Sequence, residues 1–177
     1  NNIQKNMEEQ VDISVITINY NGLKDTCEFL ESWIATIKSI SYELIVVDNA
    51  SKSDEATIIE TKYPQVIVIR SEENLGFAGA NNIGMDVAKG KYLFFLNNDV
   101  LMRNDNIIAL IERIESDKQI AGVSPLILNQ DSTNTIQWAG YTPLSTITLR
   151  NHAIGEGSSN KLDYPASETP YLHGAAM

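Results

Sequence analysis

Cysteine is nearly absent: Cys27 is the only one in 177 residues. An internal disulfide is therefore impossible, and a thiolate zinc site is excluded with it. Cys27 lies in a helical pattern and reads as a small core residue, not a reactive thiol. No apolar run approaches the roughly 18 residues that a membrane span needs, and no secretory pattern opens the chain. The expected compartment is the cytoplasm, and no transmembrane segment is expected. Positive charge is also scarce: 13 Lys and Arg stand against 23 Asp and Glu, a net charge of −10. That balance argues against a large electrostatic footprint on nucleic acid or anionic lipid, so no nucleic-acid partner is expected. A small, locally cationic pocket stays compatible with it.

What remains is the composition of a globular domain, 43% hydrophobic and 20% charged. At this length one core buries enough surface to be stable, so one domain is the starting expectation. Residues 1–11 are polar and read as frayed. Ile13-Ser14-Val15-Ile16-Thr17-Ile18 is a β-branched strand, closed by the turn-forming Asn19-Tyr20-Asn21-Gly22. Cys27, Phe29, Leu30, Trp33, Ile34 and Ile37 follow helical spacing, which predicts a helix over 25–38. Glu43-Leu44-Ile45-Val46-Val47 is a second strand, running into Asp48-Asn49-Ala50-Ser51. A short helix over 54–62 must stop before Pro64, and Val66-Ile67-Val68-Ile69 is a third strand. Gly76-Phe77-Ala78-Gly79-Ala80-Asn81-Asn82 opens a helix that ends near Gly90. Tyr92-Leu93-Phe94-Phe95-Leu96 is a fourth, fully apolar strand, followed by Asn97-Asn98-Asp99.

Ile107, Ile108, Leu110, Ile111 and Ile114 mark another helix, with Asn104 or Asp105 as its cap. Ile120 to Ser124 reads as a fifth strand. Residues 146–150 read as one short β segment between the loop-like stretches 129–135 and 155–170. Alternating strands and helices predict an α/β fold with a mostly parallel central sheet, flanked by helices on both faces.

In an open parallel sheet, ligands bind beyond the carboxyl ends of the strands, at a switch in strand order. Three strands end in polar clusters: Asn19-Tyr20-Asn21, Asp48-Asn49-Ala50-Ser51 and Asn97-Asn98-Asp99. If the strands are parallel, all three converge on one edge. Asp99, directly after a buried strand, can meet a cation there, or it can begin a turn or cap the next helix. Mg²⁺ and Mn²⁺ favour oxygen ligands and commonly use one or two carboxylates plus substrate phosphates. Asp48 either accepts hydrogen bonds from a base or ribose or closes an Asx turn with its own backbone. The stretch from Gly76 to Gly84 can bring backbone N–H groups to a phosphate at a helix N-terminus. It lacks the Gly-Lys-Ser/Thr of a Walker A loop, and no dinucleotide fingerprint follows the first strand, which argues against a dehydrogenase.

Four segments, in order, carry a resemblance: Val15-Ile16-Thr17-Ile18-Asn19-Tyr20-Asn21, Ile45-Val46-Val47-Asp48-Asn49-Ala50-Ser51, Asn74-Leu75-Gly76-Phe77-Ala78-Gly79-Ala80-Asn81-Asn82-Ile83-Gly84 and Leu96-Asn97-Asn98-Asp99-Val100. Together they resemble the motifs of family 2 glycosyltransferases, over residues 12–125. The resemblance implies the GT-A fold, a Rossmann-like nucleotide-binding core. It places Ile18 and Tyr20 at the nucleobase, Asp48 in a hydrogen bond to the base, and Asn49 beside it. It assigns Asn74, Gly76 and Gly79 to the loop around nucleotide and sugar, with Asn82 nearby and Asn98 close to the ribose. Asp99 would ligate the Mn²⁺ or Mg²⁺ that bridges the diphosphate.

The family's Asp-x-Asp motif stands here as Asn97-Asn98-Asp99. Its last acid is retained but its first is replaced by a neutral amide, so metal affinity should depend more on the diphosphate. This form resembles that of rhamnosyltransferase-type enzymes, which favours a dTDP- or UDP-sugar. The implied reaction is inverting transfer to an acceptor hydroxyl in polysaccharide or glycan synthesis. Its acceptor would be a glycan or lipid-linked sugar, and the full-length protein would sit peripherally at the inner membrane face.

The family's catalytic base follows a Gly-Ala-x-Met-like stretch, and Gly174-Ala175-Ala176-Met177 closes this sequence. Residues 126–177 are thus expected to be the loop-rich start of an acceptor side, cut short, and no catalytic residue is assigned. The chain is expected to bind donor without transferring it. Glu156, Asp163 and Glu168 read as solvated carboxylates. His173 reads as structural or exposed, with a contact to diphosphate or metal as its alternative, and Trp138 as a partly buried core aromatic, with stacking on a sugar as its alternative. Two other functions are compatible with an α/β nucleotide site. A sugar-phosphate nucleotidyltransferase is disfavoured because no Gly-rich, Lys/Arg-bearing loop follows the first strand. A sugar-nucleotide-binding module without catalysis is the other.

Overall fold

Runs of β-branched and aromatic residues build the sheet. In a computed structural model, which describes residues 11–130, 135–159 and 164–177, four strands lie parallel. They are β1 (Ile13–Asn19), β2 (Tyr42–Asp48), β3 (Ile67–Arg70) and β4 (Tyr92–Phe95), in the order β3-β2-β1-β4. Helices α1 (Leu23–Thr36), α2 (Glu55–Lys62) and α3 (Gly76–Val87) connect them. The chain steps outward from β1 to β3, then returns through α3 to lay β4 on the other side of β1. The strand order therefore reverses between β1 and β4, where a parallel sheet opens a crevice.

Strand alternation divides the core into two layers. On one face Trp33 of α1 is fully buried, with its ring 5.6 Å from that of Tyr42 and 6.1 Å from that of Phe94. On the other, Ile16, Ile45 and Val47 pack with Ala80 of α3. That helix lies close to the sheet because Gly84 has no side chain: a Cβ there would sit 2.5 Å from Ile16 Cγ2. At the opposite end from the polar clusters, Gly90 N donates to Ser14 Oγ at 2.8 Å, and Ser14 donates to Glu43 Oε1 at 2.5 Å. Asp54 caps α2 by accepting from Thr57 N at 3.2 Å, and hydrogen bonds from Thr57 hold its carboxyl below the usual range.

The chain divides into two compact units, Asn1–Ile107 and Ile108–Met177. In the second, β5 (Ile127–Leu128) and β6 (Ile136–Trp138) form an antiparallel pair. Trp138 is buried there as expected, 5.7 Å ring to ring from both Tyr141 and His173. Among the described residues no helix is long and apolar enough to cross a membrane.

Four local expectations need correction. Residues 120–124 form no strand. Residues 146–150 begin in a turn instead of a β segment, because Ser145 Oγ accepts from the backbone of Ile147 and Thr148. Asp105 does not cap α4 (Ile107–Glu115); its carboxylate accepts from Lys38 N at 2.8 Å and Ser39 N at 2.9 Å, closing the α1–β2 loop. Those bonds, the Lys38 backbone first, lower its pKa. Cys27 is only half-buried, and its neighbour Thr26 is the buried residue.

Candidate functional site

The last residue of β1 organises the crevice. Alternation turns Asn19 toward the face that carries α1 and α2, where it is fully buried. Its Nδ2 donates to Asp48 Oδ1 at 2.7 Å and to Glu55 Oε2 at 2.8 Å, with Ser51 Oγ at 3.1 Å. Its Oδ1 accepts from the Thr26 hydroxyl at 2.7 Å. Thr26 Oγ1 in turn accepts from Asn98 Nδ2 at 3.0 Å. A continuous chain of hydrogen bonds thus runs Asp48–Asn19–Thr26–Asn98, across the ends of β2, β1 and the segment after β4.

The register explains the convergence, because Asn19 pairs with Asp48 while Ile16 pairs with Phe95. Asp48 and Glu55 are each about 7% exposed, and these donors satisfy their buried oxygens. Ser51 Oγ donates to Asp48 Oδ1 at 2.5 Å, and Gly22 N donates to Glu55 Oε2 at 3.1 Å. The remaining Asp48 oxygen, Oδ2, accepts from Ser51 N at 3.3 Å, the Asx-turn contact that the sequence allowed.

A second cluster joins β2 to α3. Asn49 Oδ1 accepts from Leu75 N at 2.9 Å, and its Nδ2 donates to Asn74 Oδ1 at 3.0 Å. Gly76 N donates to the same Asn74 oxygen at 2.9 Å, and Gly76 itself holds a φ of +66°, which favours glycine. Asn49, Asn74 and Gly76 are therefore one hydrogen-bonded unit at the start of α3, with Gly79 in its first turn. Asn82 is exposed farther along α3, while Asn81 is buried and donates to Phe77 O at 3.1 Å. Ile18 packs on the Ile16 cluster, and Tyr20 is 47% exposed at the crevice rim.

Asp99 is exposed in the turn that follows β4. Among the described residues no group of three or more His, Cys, Asp or Glu is arranged to hold a metal. A single hard carboxylate fits Mg²⁺ or Mn²⁺ when ligand phosphates supply further oxygens, and it does not fit a dedicated protein cage. In the second unit His173 Nδ1 accepts from Ala175 N at 3.2 Å and its ring stacks on Tyr141, a structural setting. Glu156 and Glu168 are exposed, and Asp163 lies outside the described residues.

Sequence reading left out Asn19, Thr26 and Glu55 as site residues. Asn19 was legible as a polar strand end. Glu55 carried no such signal, since an acid in a first helical turn ordinarily answers the helix dipole.

Polar strand ends meeting at a switch in a parallel sheet define an α/β domain of the Rossmann-like kind. The chain belongs to glycosyl transferase family 2, whose model matches residues 14–162. It is 39% identical over 169 residues to an uncharacterized glycosyltransferase of Rickettsia prowazekii, covering 91% of this chain and 46% of that one. It is 33% identical over 121 residues to WfaP of Escherichia coli, a UDP-Glc:alpha-D-GlcNAc-diphosphoundecaprenol beta-1,3-glucosyltransferase, covering 67% and 47%. An uncharacterized glycosyltransferase of Haemophilus influenzae is 33% identical over 109 residues, 61% of this chain and 36% of that one. The chain thus spans less than half the length of these curated relatives. A crystal structure of S. aureus TarS residues 1–349 superposes with a TM-score of 0.52 at 22% identity, over 78% of this chain and 43% of that one. That likeness shows the GT-A fold.

Proposed function

We propose that this chain binds a nucleotide-diphospho-sugar and forms the donor side of an inverting glycosyltransferase that acts on a glycan or lipid-linked acceptor hydroxyl. The observation that carries the proposal is the hydrogen-bond chain from Asp48 to Asn98 at the β1/β4 switch. It supports a base at Asp48, a ribose at Asn98 and a diphosphate at Asp99 within one crevice. A UDP- or dTDP-sugar would suit the site, with Asp48 Oδ2, which accepts from Ser51 N at 3.3 Å, also accepting the imide N–H of uracil or thymine. The printed activity of WfaP supports the same donor class and a lipid-linked acceptor. Ile18 and Tyr20 would border the base, and the Asn49–Asn74–Gly76 unit with Gly79 and Asn82 would flank the nucleotide and sugar. Mn²⁺ or Mg²⁺ at Asp99 would neutralise the diphosphate as its charge grows in the transition state.

Thermal scanning with a panel of sugar nucleotides, with and without Mn²⁺, tests the donor class. UDP- or dTDP-sugars, a dTDP-deoxyhexose among them, should raise the melting temperature through binding to the native state. A response confined to purine nucleotides would sink the proposal. Asp99→Asn is expected to remove the Mn²⁺-dependent part of the affinity, about 1–3 kcal/mol, while leaving the melting temperature of the free protein unchanged. Calorimetric titration with undiminished Mn²⁺ dependence would refute the metal assignment. Asp48→Ala should weaken UDP by roughly 1.5–3 kcal/mol and scarcely touch inorganic diphosphate. Equal losses for both would make Asp48 a support of the loop, not a reader of the base.

A further inference from the structure

Hydrogen-bond polarity through the crevice is fixed from one end to the other. The Asn19 amide faces the carboxylates of Asp48 and Glu55 with its nitrogen, at 2.7 and 2.8 Å. Turning it over would set its oxygen against both of them. Its Oδ1 therefore faces Thr26 and needs a proton, which the hydroxyl supplies at 2.7 Å. A hydroxyl has one proton, so Thr26 Oγ1 has only a lone pair left for the group 3.0 Å away on Asn98. That group must be the Nδ2 amine.

Gly22 makes room for this end of the Asn98 amide. A Cβ there would lie 2.8 Å from Asn98 Nδ2, so the missing side chain makes room for the amine. Asn98 Oδ1 is turned out of the network, and no hydrogen bond among the described residues occupies it.

We infer that Thr26 is a positioning residue that presents Asn98 Oδ1 as a hydrogen-bond acceptor for a ribose hydroxyl of the donor nucleotide. The ribose role rests on the function proposed above; the amide polarity does not. An acid at position 98 would set oxygen against Thr26 Oγ1 with no proton between them, so an amide is what the network requires.

The test compares UDP with its 2′,3′-dideoxy counterpart, and dTDP with its 3′-deoxy counterpart, by calorimetry in the presence of Mn²⁺. The wild-type chain should favour the hydroxylated nucleotide by roughly three- to ten-fold, the value of one neutral hydrogen bond. Thr26→Val should reduce that ratio to about one, leaving the affinity for the deoxy nucleotide within about two-fold, and Thr26→Ser should restore it. Gly22→Ala crowds the same amine without removing the Thr26 hydroxyl, and it should lower the ratio too.

Thr26→Val that keeps the wild-type ratio, or weakens both nucleotides alike, overturns the inference. A nucleotide-free arm tests the polarity alone: Asn98→Asp should lower the melting temperature by several degrees, and an unchanged value overturns the amine assignment. A wild-type chain that binds neither nucleotide overturns the donor reading and the ribose role, whereas the melting arm still decides the polarity.

Discussion

Asn19→Leu should cost roughly 3 kcal/mol of stability, because it leaves buried acceptors without their donor. Leucine nearly matches asparagine in shape, so packing is largely kept and the loss is polar. Asp48 and Glu55 keep Ser51 and the Gly22 backbone as partners but lose the amide that both share. Thr26 loses the acceptor for its hydroxyl, and the tie across the crevice breaks. Urea denaturation at pH 7 measures the effect; a loss below about 1 kcal/mol would show that the carboxylates find equal partners elsewhere. Asn19→Asp is the sharper companion, since it sets a third carboxylate beside two. Crowding by like charge raises the folded-state pKa of such a group above its unfolded value. Its penalty is then fully present above the folded pKa and disappears as pH falls through it to the unfolded pKa. Asn19→Asp should therefore gain on the wild type as the pH is lowered from 7 toward 5.

Trp33→Ala should be the most damaging apolar truncation, at about 3–5 kcal/mol. Trp33 is fully buried, with ring centroids 6.2 Å from Phe29, 5.6 Å from Tyr42 and 6.1 Å from Phe94. Those rings belong to α1, β2 and β4, so the cavity would open where three elements meet, and none can close it without moving another. Trp33→Phe should cost far less, under about 1.5 kcal/mol. It keeps most of the volume and removes an indole N–H that has no hydrogen-bond partner among the described residues. Equal losses in the two variants, read as denaturation midpoints, would place the energy in the indole nitrogen and not in the packing.

The four parallel strands and their polar ends were legible because burial on both faces favours runs of apolar and β-branched residues, and Ile13–Ile18 and Tyr92–Leu96 supply them. Ile120–Ser124 carries Ile and Val but also Ala and Gly, and it forms no strand, since Ala and Gly weaken β pairing and no neighbouring strand among the described residues is there to bond with. Thr146-Ile147-Thr148-Leu149 alternates like a strand, yet Ser145 Oγ offers the backbone a closer partner and the segment turns. The site was readable as a set of strand ends but not as a network. Which helix residue meets Asn19 depends on how α1 and α2 lie on the sheet, and single-sequence spacing does not contain that. Thr26 and Glu55 therefore looked like ordinary helix-start residues. Asp48, Asn49, Asn74 and Gly76 were picked out by motif, and the structure gives each a bonded partner at the crevice.

The strand order also dictates a sequence of events during synthesis. Ile13 pairs with Tyr42 on one side and with Tyr92 on the other, so β1 leaves the ribosome long before its second neighbour exists. Until α3 and β4 have followed, one edge of a strand rich in Val and Ile stays open, and the Asn98 end of the crevice cannot close. Pairings so distant along the chain are slow to form, and an open edge of this kind is where nascent chains stick to one another. Slowing translation once β4 has emerged from the ribosome should favour the native pairing, and a pause that holds the chain before β4 has emerged should favour aggregation.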